Sequence, residues 1–278
     1  MTVVHRIGVM QGRLVSPVNG EIQAFPAETW ADEFPRAQEA GIDCIEWIFD
    51  LSTEAQNPIW TVDGPDRLRA LTARHGVSVL SVCADYFIRR PLLNASENDK
   101  RHRLDILLRL VDQAKTVGVN RIVLPFVDGS SISTDKDRAA AIELLRVASV
   151  HGGAQGVELH LETDFGPADF ARFLHELAVD NIRVNYDSGN SAGLGYAPAE
   201  EMSAYGDRLG SVHIKDRVRG GSSVPLGDGN ADFPSLFRAL RQLDYRGDFI
   251  LQTARGQAGD EVVLARHNRA TVERWLAL

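Results

Sequence analysis

Eight short apolar runs rich in β-branched residues alternate along this chain with amphipathic stretches, and no other feature constrains its fold as much. The runs are Ile7–Met10, Ile42–Ile48, Val77–Cys83, Arg121–Phe126, Val157–Glu162, Ile182–Asp187, Ser211–Lys215 and Phe249–Gln252. Helices are predicted over 29–40, 66–75, 97–117, 135–150, 167–178, 198–208, 233–243 and 261–278. Gly41, Gly76 and Gly118 stand just past the first three of these, where a left-handed residue ends a helix. Pro35 kinks the first helix or moves its start later, whereas Pro167 and Pro198 suit a first turn. Over 278 residues this gives one βα unit about every 35 residues, with no linker or low-complexity segment between units. A single (β/α)₈ barrel domain spanning residues 1–278 is the expected architecture, and an open doubly wound sheet is the alternative.

Composition narrows the partners. Thirty basic against 38 acidic residues leave a net charge of −8, so the chain lacks the basic footprint of a nucleic-acid binder. No apolar run is long enough to span a bilayer, and the N-terminus lacks a signal-peptide core. The two cysteines, Cys44 and Cys83, make no disulfide framework; free thiols suit a reducing cytosol, so a cytoplasmic location is expected.

Strand parity points to a polar barrel interior. Alternate residues face opposite sides of a strand, so Glu158, His160 and Glu162 face inward on the fifth run, opposite Val157, Leu159 and Leu161. Arg183, Asn185 and Asp187 do so on the sixth, Ser211, His213 and Lys215 on the seventh, and Ile250 and Gln252 on the eighth. Cys44 and Glu46 face inward on the second. Barrel interiors are ordinarily apolar layers, and a buried charge costs several kcal/mol unless it is paired or binds a metal. Glu158 and Arg183 can pair with each other. Glu162, Asp187, His213 and Gln252 lie nearest the C-terminal strand ends, where barrel active sites form. Two carboxylates, an imidazole and an amide converging there suit one divalent cation such as Mn²⁺, Mg²⁺, Co²⁺ or Zn²⁺.

At these residues the sequence resembles the xylose-isomerase-like TIM-barrel superfamily of sugar isomerases and epimerases, to which D-tagatose 3-epimerase and L-xylulose-5-phosphate 3-epimerase belong. The resemblance runs through IGVMQGRL, GIDCIEW, HLETD, NYDSGNS, VHIKDR and PLGDGNADFPSLFRAL, and it covers nearly the whole chain. It implies one divalent metal held by Glu, Asp, His and Glu from the fifth to eighth strands. The first three map onto Glu162, Asp187 and His213, while the fourth falls on Gln252, which can ligate through its carbonyl oxygen. It also implies enediolate chemistry on a carbohydrate, with two glutamates moving a proton on opposite faces. Glu162 remains as a base; Gln252 cannot take up a proton. That departure favours single-base chemistry, either aldose–ketose isomerisation or elimination from a keto-sugar, unless an epimerase has relocated its second base. Members are often dimers or tetramers, so a homo-oligomer is an expectation.

Lys215, one of only four lysines among the thirty cations, is expected to contact substrate or the enediolate; an ion pair with Asp187 or Glu162 is the alternative. Arg13, Arg217 and Asp85 are candidate substrate contacts at the same rim. Glu46 reads as structural, and His160 as support beneath the ligands. Cys83 and Tyr86 flank Asp85, and Trp47, Phe49, Tyr86 and Phe126 are available as an apolar wall or as packing. RGGSSVPLGDGN is expected to form a mobile rim loop. The leading function is a metal-dependent sugar or sugar-phosphate isomerase or epimerase, and the alternative is a lyase or dehydratase on a keto-sugar or keto-inositol. A DNA-repair endonuclease of the same superfamily would need extra histidines for a multi-metal cluster, and His213 is followed by none until His267. A metal-free binding barrel is the remaining class.

Overall fold

A computed structural model describes residues 5–277. The first four residues and Leu278, the last of the predicted C-terminal helix, lie outside the described residues. Eight parallel strands close into a barrel in which each strand neighbours the next in sequence and the first pairs with the eighth. They are Ile7–Met10, Cys44–Ile48, Ser78–Cys83, Arg121–Phe126, Glu158–Thr163, Ile182–Asp187, Leu209–Ile214 and Phe249–Leu251. The eight predicted helices are all present, with shifted ends. The first opens as a 3₁₀ turn and becomes α-helical at Glu33, so Pro35 sits in the first turn rather than at a kink. The helix predicted to stop at Val150 continues to Gln155, because its natural stop is Gly156, at φ 69°. Within it, a Cβ at position 152 would lie 2.6 Å from the Val157 carbonyl oxygen, so glycine there lets the helix end against the fifth strand.

The outward residues of the strands form the apolar core against the helices: Ile45, Trp47, Leu159, Leu161, Val184, Val212, Ile214 and Phe249 are all fully buried or nearly so. Many of the inward residues are polar and just as buried, among them Glu46, Ser81, His160, Asn185, Ser211 and His213. Glu158 and Arg183 stand 4.0 Å apart, and both are partly exposed. The four aromatics offered as a sugar wall are packing residues. Trp47 is fully buried against Phe25 and Trp30 with its indole N–H on Asn57, and Phe49 stacks on Tyr86. Cys44 and Cys83 are buried free thiols.

The glycine-rich stretch, expected as a mobile rim loop, is anchored on a buried carboxylate. Asp216–Arg217 and Ser223–Val224 pair as a small antiparallel hairpin. The Asp216 carboxylate accepts from the backbone N–H groups of Gly227 (2.9 Å), Gly229 (3.0 Å) and Ala231 (3.0 Å). Asp216→Ala strands these donors, and a destabilisation of about 3 kcal/mol is expected, read as a Tm lower by roughly 6–10 °C. An unchanged Tm would show that water replaces the carboxylate at no cost.

Candidate active site

The sixth and seventh strands slip register between Val184 and Asn185, which sets Asn185 beside Ser211 and Asp187 beside His213. One end of the barrel therefore carries Asp187 and His213 on adjacent strands, with Glu162 next along on the fifth. The ligand atoms of these three buried residues all lie within 4.8 Å of one another.

Each donor is oriented by further contacts. Asp187 caps the short helix Ser188–Leu194, and its Oδ1 accepts from the N–H groups of Gly189 and Asn190, both at 2.8 Å. Its Oδ2 is left facing His213 Nδ1 at 4.0 Å. Glu162 accepts from Asn190 Nδ2 (2.7 Å) and Asn185 Nδ2 (2.9 Å), and its Oε2 lies 3.5 Å from His213 Nδ1. Asn185 is itself fixed, since its Oδ1 accepts from Ser211 Oγ at 2.6 Å, and His160 Nδ1 lies 2.7 Å from the same hydroxyl.

His213 reaches across the barrel to Glu46, with Nε2 2.6 Å from Oε1. The contact is close but poorly aligned, so His213 Nε2 and both Glu46 oxygens lack a well-directed hydrogen bond. Burial alone would lower the imidazole's proton affinity; Glu46 and Glu162 outweigh it and push His213 up to about 10. The same pairing holds the Glu46 carboxyl below its ordinary range although burial opposes it. The amide geometry is arranged for the other form. Asn185 Nδ2 sits 3.2 Å from Nδ1, which requires a lone pair there, and the ring proton then lies on Nε2 toward Glu46. A cation at Nδ1 would use that one lone pair and take the place of the proton that the carboxylates attract, leaving Asn185 Nδ2 its hydrogen bond to Glu162. Oriented carboxylates with a histidine backed by a buried glutamate are the donor set and backing that a divalent ion needs, so the residues fit the metal.

Lys215 and Gln252 complete the ring. Lys215 lies just past the seventh strand, and its Nζ donates to Asn190 Oδ1 (3.2 Å), Asp187 Oδ2 (3.4 Å) and Gln252 Oε1 (3.5 Å). Its stem crosses Gly189, where a Cβ would come within 2.5 Å of Lys215 Cγ. Gln252 thus turns its carbonyl oxygen toward the cluster and its Nε2 to Gln23 Oε1 at 2.9 Å. Arg217 donates to Asn190 Oδ1 (3.0 Å) and to the Gly221 carbonyl. Arg13 is buried and donates to the carbonyls of Thr253 and Ile22 and to Gln23 Oε1, so it fastens the 22–23 loop to the mouth. Asp85 meets the cluster only through Gln23. Asn185, Asn190 and Gln23 have contacts here that the sequence reading did not assign. Inward parity points to Asn185 and the Asp-Ser-Gly-Asn cap to Asn190, whereas Gln23 carries no sequence signal.

Fold and cluster define the class: an eight-stranded α/β barrel with a divalent-metal donor set at its C-terminal mouth. A family model described as xylose isomerase-like TIM barrel matches residues 34–274, and the chain belongs to that family. It is 26% identical to the L-ribulose-5-phosphate 3-epimerase UlaE of Salmonella heidelberg, over 83% of this chain and 84% of that protein. The structure of an L-ribulose 3-epimerase superposes with a TM-score of 0.79 at 18% identity, covering 99% of this chain and 95% of the other. That of the IOLI protein with a bound zinc atom gives 0.76 at 17% identity, covering 98% of each. Among the described residues no helix is long and apolar enough to cross a membrane.

Proposed function

We propose that this protein is a divalent-metal-dependent isomerase or epimerase of a ketose or ketose phosphate, with Glu162 as a base. The observation that carries the reading is the convergence of Glu162, Asp187 and His213, each oriented by a second partner. Relatives named as L-ribulose-5-phosphate 3-epimerases support the substrate class. Glu162, Asp187, His213 and the carbonyl oxygen of Gln252 would hold the ion, which would supply Lewis-acid polarisation of a sugar carbonyl. The rest belongs to the chain. Glu162 accepts the proton from the carbon beside that carbonyl, Asn185 and Asn190 fix its two oxygens, and Lys215 places a positive charge where negative charge develops on oxygen. Arg217 and Arg13 frame the mouth and contact the outer part of the sugar directly or through Asn190 and Gln23. The protein is a homo-oligomer in this reading, and its site takes a small carbohydrate rather than nucleic acid or lipid.

The test is a panel of ketoses, ketose phosphates and 3-keto-glycosides incubated in D₂O with metal-loaded protein. Deuterium at the carbon beside the carbonyl, with product of substrate mass plus label, is expected. Gln252 favours a second reading, elimination from a keto-sugar, and a product lighter by one water would establish it. No label and no product with any of them would reject both. Lys215→Met is expected to lower kcat about 100- to 1,000-fold with metal content unchanged, as loss of an oxyanion contact does. An unchanged kcat would make Lys215 only the ion-pair partner of Asp187.

A further inference from the structure

Inversion at a carbon beside a carbonyl needs a proton acceptor on one face and a donor on the other, and Gln252 leaves the mouth one carboxyl group short. Asp85 lies two residues past the third strand, at the N-cap position of the helix Tyr86–Arg89. It does not serve that helix, because its side chain accepts no hydrogen bond from it. Both oxygens turn elsewhere: Oδ2 accepts from Gln23 Nε2 at 2.8 Å, and Oδ1 from the Cys83 thiol at 3.2 Å. Gln23 Oε1 in turn accepts from Gln252 Nε2, so one side chain joins Asp85 to the eighth-strand amide. Asp85 is partly exposed, which leaves it open to a substrate in the mouth.

We propose that Asp85 is a second catalytic acid–base of this protein, relocated from the eighth strand to the end of the third and acting on a ketose or ketose phosphate. The proposal rests on the epimerase reading above. Glu162 removes the proton from the carbon beside the carbonyl; the C–H electron pair forms the carbon–carbon double bond of an enediolate, and the carbonyl π pair moves onto oxygen. Asp85, as the carboxylic acid, returns a proton to that carbon from the opposite face; the double-bond pair forms the new C–H bond, and the oxygen pair restores the carbonyl. Glu162 is left protonated and Asp85 ionised, and exchange with solvent resets both. The groups facing Asp85 agree with a donor role. Burial raises its proton affinity, the Gln23 and Cys83 hydrogen bonds oppose that, and the charges of Glu162 and Asp50 add to it, leaving it at about 6. Arg13 is the cation facing it.

The experiment uses metal-loaded protein in D₂O with L-ribulose and L-ribulose 5-phosphate as probes, reading label in the starting sugar separately from formation of its 3-epimer. Asp85→Asn is expected to slow epimer formation about 100- to 10,000-fold while deuterium still enters the starting sugar through Glu162. Asp85→Asn with Gln252→Glu is expected to regain inversion. Should Asp85→Asn not fold, Asp85→Glu is expected to slow inversion more than exchange. Epimerisation at the wild-type rate in Asp85→Asn, an unchanged ratio of inversion to exchange in Asp85→Glu, or equal loss of both activities in either folded, metal-replete variant would overturn the assignment. If the wild-type protein labels neither these probes nor any other sugar of the panel above, the epimerase reading fails and Asp85 falls with it, a result distinct from any in which only the variants change.

Discussion

His213→Ala is expected to leave a barrel that binds metal at least about 100-fold more weakly and turns over no measurable sugar. The imidazole is the one nitrogen donor in the cluster, and its Nδ1 lies within 4.0 Å of both an oxygen of Glu162 and one of Asp187. Without it two carboxylates remain, together with the amide oxygen of Gln252 and the nearby Lys215 ammonium. The substitution also leaves the Glu46 carboxylate at the centre of the barrel without its partner. Removing one member of a buried pair costs about 3–5 kcal/mol, so a lower Tm accompanies the loss of metal. The measurement is metal per chain in the folded fraction. Stoichiometric metal with full turnover would remove His213 from the site.

Glu162→Gln is expected to separate metal binding from proton transfer. The amide keeps a carbonyl oxygen that can face the cation, but it cannot accept a proton at neutral pH. The expected result is a kcat about 100- to 10,000-fold lower, and equal loss of deuterium entry into substrate, at metal concentrations that saturate the site. Affinity for the ion falls as well, because one negative charge is lost. Stability changes by only about 1–3 kcal/mol, since one of the two asparagine amides at Glu162 then meets an N–H rather than an oxygen. Deuterium entry at the wild-type rate would show that another group takes the proton.

Much of this site is legible in the chain because a period of two and a strand end are local signals. The inward parity that selects Glu162, Asp187 and His213 survives even where the strand boundaries move. The seventh strand begins at Leu209, two residues earlier than the apolar run suggests, and Lys215 falls just beyond it. Parity says nothing about reach across a barrel. Glu46 reads as structural from its depth, yet its carboxylate meets His213 Nε2 at 2.6 Å because a glutamate side chain can span the gap between non-adjacent strands. Gln23 lies in a segment without periodicity and is held at the mouth by distant residues, since Arg13 and Arg255 both donate to the neighbouring Ile22 carbonyl. The order of the glycine-rich stretch is hidden for a related reason. Asp216 draws together backbone groups from 11 to 15 residues away, a contact that composition does not encode.

The central claim is that one divalent ion among Glu162, Asp187, His213 and Gln252 supports proton transfer by Glu162. Its most direct test is a titration of chelator-stripped protein with Mn²⁺ in D₂O, following deuterium entry into the sugar that the panel identifies. Exchange is expected to be absent at the start, to rise in proportion to added metal and to level off at one ion per chain. Exchange by the stripped protein at the full rate, or a plateau reached only at two ions per chain, would contradict it.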